Sequence, residues 1–369
     1  MFKMKKFFII LSLATIFFSC STDIDLNADY KDITVVYGLL DKGTDLQYIK
    51  VNKTFLGDAP VAEMAAVSDS FTYKSATVML KKYHNDTYIK TIHFVYNDTI
   101  PKDEGYFAND KNVIYITDEK IIEESEENNL EEYSYKLVVQ IPGKPEVTSE
   151  AKLVSSVKLL PPISYKSELI FYQRYGTTGQ YIDLKVKYRS AKNALLYEVY
   201  TEIKFYEKLQ GSDDYTMKTL LWRQLDKRST SIKGDETIES TISGSGLYNY
   251  IHTQIGDIAA DERIFYSIRF YFVAAGETLT KYIDLTSPDY GIVQEKPSFT
   301  NVKNGWGLFS SRGSNYSSYK ILHPTSGDFI ELSTGQYTGG DKFLNYPETN
   351  TFYDIHPELD IEYLYTPAP

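Results

Sequence analysis

Apolar and polar residues alternate in short runs along most of the chain, each run closed by turn-forming residues, a period-two pattern that predicts strands. Residues 32–40 and 46–55 flank Asp41-Lys42-Gly43-Thr44-Asp45 as a first hairpin, and residues 77–83 and 87–96 flank His84-Asn85-Asp86 as a second. Further strands are expected at 112–117, 134–141 and 146–154, the last two joined by Pro142-Gly143-Lys144-Pro145. In the second half, 168–175 and 181–188 bracket Gly176-Thr177-Thr178-Gly179, and 194–206 reads as one long strand. Alternation continues through Leu220-Leu221-Trp222, and 263–274 with 278–285 reads as a third hairpin turning at Ala275-Gly276-Glu277. Helical spacing is rarer. Residues 59–67 are Ala-rich with Pro60 near their start, and Leu247, Tyr250, Ile251 and Ile255 recur one turn apart between Ser245, a good N-cap, and Gly256.

The pattern predicts a mainly β protein: two antiparallel β-sandwich domains of the immunoglobulin or fibronectin-III kind, with one or two short helices. Pro161-Pro162 breaks both helix and ladder and marks the junction. The expected division is therefore an N-terminal β-sandwich domain over 31–158 and a C-terminal β-rich domain over 159–369. After Arg312 the expectation is one or two short strands and then an irregular tail lying over the body. The 33 tyrosines and 19 phenylalanines fit half-buried strands, although aromatic faces also stack on sugars.

The first residues obey a different pattern. Lys3, Lys5 and Lys6 precede a twelve-residue apolar region over 7–18, interrupted by Ser12 and Thr15, the layout of a secretory signal and too short to span a bilayer as a helix. Phe17-Phe18-Ser19-Cys20 then resembles a bacterial lipobox. That resemblance implies cleavage before Cys20 and acylation of its thiol, so that 1–19 is a lipoprotein signal peptide and 20–30 an acylated cysteine and tether. The alternatives are an ordinary signal with an incidental cysteine, or a buried free thiol. An exported chain with one cysteine has no internal disulfide to make, which leaves the thiol in need of another role. Acyl chains would supply stable membrane attachment at roughly 0.8 kcal/mol per buried CH2.

Asp23 and Asp25, just behind Cys20, resemble the surface-export signal of Bacteroidetes-type lipoproteins, which implies the outer membrane and favours the cell surface over the periplasmic face. Asp98-Thr99-Ile100 resembles the O-glycosylation pattern of exported proteins of the same kind, with Thr99 as acceptor. Residues 35–40, 48–57 and the Gly- and aromatic-rich stretch 299–312 together resemble uncharacterised Bacteroidetes-type lipoproteins of the domain-of-unknown-function kind. That likeness spans most of 30–312. It implies an immunoglobulin-like first domain, a second β-rich domain and an envelope location, and brings no catalytic residue and no cofactor.

Removing 1–19 takes away three lysines and moves the formal charge from −11 to −14. A body this acidic repels nucleic acid and anionic lipid, so membrane contact is expected through the acyl chains on Cys20 alone. Seven glutamates crowd 119–132, but that run lacks the glycine and mixed oxygen ligands of a hard-cation loop and reads as a solvated loop or exposed helix. His84, His93, His252, His323 and His356 show no metal-ligand spacing, although His84 and His93 have the opportunity to approach across one hairpin. Ser243-Gly244-Ser245-Gly246 is not a hydrolase elbow, and no phosphate-binding loop is present.

Of the two tryptophans, Trp222 sits in an alternating strand and reads as core, whereas Trp306 lies between Gly305 and Gly307 and is the candidate for ligand stacking. Three functions stay open: a surface binding or adhesion module for a glycan or a protein; a structural accessory subunit of an outer-membrane transport or gliding machine; and a hydrolase, which needs acidic groups converging in a cleft.

Overall fold

The computed structural model describes residues 32–55, 60–73, 75–102, 105, 111–161, 169–175, 178–255, 260–287, 298–320 and 330–331. Cys20, the signal peptide and tether, and nearly all of the tail after 320 lie outside the described residues. The first half carries β1 (Thr34–Asp41), β2 (Gln47–Lys53), β3 (Thr77–His84), β4 (Thr87–Asn97), β5 (Ile114–Thr117), β6 (Tyr133–Gln140) and β7 (Val147–Ala151). The second carries β8 (Lys158–Leu159), β9 (Leu169–Ile170), β10 (Tyr172–Tyr175), β11 (Thr178–Tyr181), β12 (Leu184–Arg189) and β13 (Ala194–Leu209). It continues with β14 (Tyr215–Arg223), β15 (Lys227–Arg228), β16 (Thr237–Ile242), β17 (Ala260–Gly276), β18 (Trp306–Lys320) and β19 (Ile330–Glu331). The described helical segments are α1 (Val61–Ala65), α2 (Ser68–Phe71), the 3-10 helix η1 (Glu124–Glu132), α3 (Gly244–Ile255) and α4 (Glu277–Thr286).

The molecule is mainly β, with more helix than the expected one or two segments. Two corrections to the expected pattern have clear causes. Residues 278–285 form helix α4 and not the second arm of a hairpin: β17 is already paired on both edges, with β13 and β18, so no ladder is open to them. Glu277 at the helix start and its i,i+4 ion pair with Lys281, 2.8 Å, favour the helix. After Arg312 the expected short strands are present, β18 running on to Lys320 against β17 and β19 following at Ile330–Glu331, while the rest of the expected tail lies outside the described residues.

β18 also makes the sheet mixed where an antiparallel one was expected. Its first half pairs parallel with β1, from Val35↔Trp306 to Asp41↔Arg312, and its second half pairs antiparallel with β17. A parallel pair needs a long crossover, and here β2 through β17 and all the described helices lie between the two strands. One 12-stranded sheet thus passes from β14 through β13, β17, β18, β1 and β2 to β5, β4, β3, β6 and β7, with β15 pairing β13 off this path.

Two cores line this sheet. In the first, β4 changes partner along its length: 87–94 pair with β3 and 95–97 with β5. The strand thereby wraps Val36, Leu40, Ile49, Leu80, Ile92 and Leu137 around a common interior. The β3–β4 turn uses Asn85 and Asp86 at φ 47° and 62°, the left-handed pair that a two-residue hairpin demands. In the second core, β13 and β17 turn Val199, Ile203, Phe205, Ile268, Phe270 and Phe272 toward β12, β16 and helix α3, which contributes Leu247, Tyr248 and Ile251. Leu153 belongs to the first core, Val154 and Val157 to the second.

Candidate functional site

The motif-like stretch 299–312 divides into scaffold and side chain. Asn301 is scaffold: its amide donates to the Phe309 carbonyl at 2.6 Å and accepts from the Phe309 N–H at 3.0 Å, standing in for a missing strand. Lys303 exchanges backbone bonds with Thr148 at 2.8 and 3.2 Å, and Ser149 donates to the Asn301 carbonyl at 2.8 Å, so β7 clamps the segment. Gly307 has φ 117°, and a Cβ there would collide with the Val36 carbonyl. With Phe309 buried in the first core, this leaves Trp306 as the large apolar side chain that the stretch presents to solvent, 53% exposed.

Register carries an apolar stripe away from Trp306 across the outer face of the sheet. Trp306 stands opposite Val35, and Tyr37, two residues along β1, is exposed. Tyr37 is opposite Lys50 on β2, so Tyr48 falls on the same face one step further. Tyr48 is opposite Ile116 on β5, which is opposite Val95 on β4, 67% exposed. Five adjacent strands therefore contribute to one diagonal of exposed or half-exposed apolar side chains, the direction that sheet twist favours. Isolated exposed apolar residues need no account, but a contiguous stripe does.

Polar groups are set into this stripe. Lys50 donates to Asn112 Oδ1 at 2.6 Å, and burial together with the neighbouring Lys102 holds its pKa below the usual lysine range. Burial and the Tyr282 hydroxyl on α4 push the Tyr37 phenol up. Helix α4 bounds the stripe, its Leu279 N–H donating to Ser310 Oγ at 3.2 Å and its Tyr282 packing edge-on to Phe299 at 6.4 Å. The arrangement offers aromatic faces with fixed donors between them, which suits binding.

Thr99 is exposed in a turn just after β4, where Asn97 Oδ1 accepts from its N–H at 3.1 Å. Trp222 packs against the second core and stacks on Tyr250 with 5.6 Å between ring centres, as its alternation predicts. His84 pairs with Glu132 at 2.7 Å and does not meet His93, which stands opposite Met79 further along the hairpin. The glutamate-rich run forms η1, with Glu127 on Lys42, Glu126 on Lys82 and Glu131 on Lys192 at 2.7, 2.5 and 2.7 Å. No three metal-ligating side chains come together among the described residues.

A cleft of about 270 Å³ between the two cores is lined by Glu150, Lys152, Asn193, Glu277 and Ser310 among others. Glu277 is held there by Lys281. No described helix is long and apolar enough to cross a membrane. The stripe was only partly legible from the sequence: Trp306 stood out between two glycines, whereas Tyr37 and Tyr48 are brought beside it by the β1–β18 pairing. The available signal was the polar-face position of Tyr37 and Tyr48 in otherwise apolar-alternating strands.

No family model and no curated protein matches the chain. Among solved structures it is similar to a DUF4785 family protein from Legionella pneumophila subsp. pneumophila str. Philadelphia 1, at 11% identity and a TM-score of 0.18. The match covers 64% of this chain and spans about half the length of that one, 51%, and a likeness this slight carries no argument about fold or function.

Proposed function

We propose that this is a lipid-anchored protein of the bacterial outer membrane, held by acyl chains on Cys20, that works as a surface binding or adhesion module for a glycan or a protein. The Trp306–Tyr37–Tyr48 stripe carries the reading. Five strands leave apolar side chains bare on one face, and transfer of such area from water is favourable by about 25 cal/mol per Å². The anchor rests on the lipobox resemblance, and Thr99 is the acceptor for a surface glycan on its tripeptide alone. We further propose that each core is an immunoglobulin-like sandwich, a reading supported by the passage of β4 from one set of partners to another.

The test uses detergent-solubilised mature protein and whole cells. Replacing Cys20 by Ser is expected to release the protein from membranes or to stall its processing; unchanged membrane fractionation overturns the anchor. Trp306→Ala is expected to lower binding to envelope extract or host glycans at least tenfold with the melting temperature unchanged. Equal binding by that variant removes the stripe from the function. Recovery of one stoichiometric envelope partner by both wild type and Trp306→Ala would point instead to an accessory subunit.

A further inference from the structure

The far half of β18 carries a second face built differently from the first. Tyr200 on β13 stands directly opposite Tyr271 on β17, and Tyr271 directly opposite Tyr316 on β18. These three residues point away from the second core, because Val199, Thr201, Phe270 and Phe272 between them are buried. Arg223 of β14 continues the row beyond Tyr200. Neighbouring strands lie about 4.8 Å apart, so the three rings cover about 10 Å of sheet in a straight line across the strands.

Around the rings, ionic groups are matched among themselves. Glu198 accepts from the Tyr200 hydroxyl at 2.5 Å and pairs with Arg223, which also reaches Asp226 at 3.0 Å. Glu202 lies 3.9 Å from Arg269 and 3.6 Å from Lys204. Arg269 donates to the Tyr271 hydroxyl at 2.8 Å, and its guanidinium sits 5.1 Å from the centre of the Tyr316 ring. Three carboxylates thus face three cations on a chain whose net charge is strongly negative. Burial and the Glu198 carboxylate push the Tyr200 phenol up to about 12, which keeps it a neutral donor.

We propose that the Tyr200–Tyr271–Tyr316 row is a platform for an uncharged polysaccharide chain, laid across β13, β17 and β18. Aromatic rings at strand spacing match successive sugar rings, each presenting its C–H face to a tyrosine. The fixed carboxylates and guanidinium beside the rings accept from and donate to hydroxyls. Among the described residues beside the row the charged groups are paired with one another, so a charged polymer finds no uncompensated partner there. Leu221 and Met217 on β14 are exposed on this same face, so a protein partner is the occupant that failure of both uncharged polymers would leave. This site shares no residue with the Trp306 stripe, and either can fail without the other.

Affinity electrophoresis tests it, with mature protein run through native gels containing a soluble β-glucan, a xyloglucan, or polygalacturonate as the charged control. At least one uncharged polymer is expected to retard the protein and polygalacturonate is not. Tyr316→Ala, 44% exposed at its site, is expected to weaken retardation about fivefold to tenfold while Tyr316→Phe, which keeps the ring, retains it. The proposal is overturned if neither uncharged polymer binds, if polygalacturonate binds equally, or if Tyr316→Ala binds as wild type with an unchanged melting temperature. Loss of binding in Trp306→Ala alone would leave the first stripe standing and remove this one.

Discussion

The two cores along the sheet are closed by different means. The second is sealed by bulk: Tyr188, Tyr197, Tyr248, Phe205, Phe270 and Phe272 are fully or almost fully buried, and helix α3 plugs one side. The first is mostly aliphatic, and it is closed by borrowed parts. Phe309 and Val302 reach it from the far end of the chain, and the rim is held by the pairs that η1 makes with Lys42 and Lys82. A core sealed by bulk resists changes in charge and suffers from cavities; one closed by a distant strand and an ionic rim is vulnerable where strand and rim attach.

The largest expected effect therefore comes from detaching β18. Gly307→Val puts a side chain against the Val36 carbonyl at a backbone angle reserved for glycine, and should cost roughly 4 kcal/mol. Denaturant unfolding should show the loss, and amide exchange should locate the faster opening in β1 and β2 while β13 and β17 stay protected. Equal acceleration in both regions would mean that the two cores unfold as one unit.

The next effect is a cavity in the second core. Phe272→Ala removes a ring that is 1% exposed and packs 5.2 Å from Tyr188, for an expected loss of about 3–4 kcal/mol. Here protection should fall in β13, β17 and α3 and hold in β3 and β6. The contrast with Gly307→Val is sharpest in these exchange patterns.

Acid should separate the two cores as well. Burial pushes the Glu126 carboxyl up, but the Lys82 ammonium and the Glu123 N–H outweigh it, and its pKa lies below the ordinary value. A carboxyl depressed in the folded state contributes stability that is fully present above its unfolded value of about 4.3 and is lost as pH falls through the folded value. The first core should therefore loosen before the second on acidification. Glu126→Gln should cost about 2 kcal/mol at neutral pH, since Lys82 is only 2% exposed and would keep little besides the Tyr133 ring 4.8 Å away. The same variant should flatten the acid limb of a stability–pH curve; an unchanged limb would assign that limb to other carboxyls such as Asp32, which Lys144 depresses.

What the pattern of residues disclosed follows the same division. Hairpins set by local turn chemistry were legible: the Asn85-Asp86 turn and the Gly143 connection between β6 and β7 stand where alternation and turn residues put them, and helix α3 follows its apolar spacing, although it begins at Gly244 with the expected cap Ser245 inside it. What pairs at long range was not. Nothing local distinguishes a strand that will find β1 from one that will find β17, and β18 finds both. Residues 278–285 have enough β-branched and apolar character to read as a strand, and became α4 because the neighbouring ladder positions were taken. The glutamates of η1 stand in a mostly exposed helix, as their density predicts, whereas their lysine partners, on β3 and in the β1–β2 and β12–β13 connections, were not legible. The Trp306 stripe was legible by one residue in three, because its continuity is a property of register.

The smallest expected effect on stability is at that stripe. Trp306 projects from the first residue of β18 with more than half its surface in water, so Trp306→Ala removes little buried area and should change the unfolding free energy by less than about 0.5 kcal/mol. Gly307 beside it should be costly, so two adjacent residues of one short stretch are expected to differ severalfold in what they contribute to folding. If Trp306→Ala proved as damaging as Gly307→Val, the indole would be part of the clamp that holds β18 to β1, and the bare stripe would be the outer skin of the first core rather than a surface kept open for a ligand.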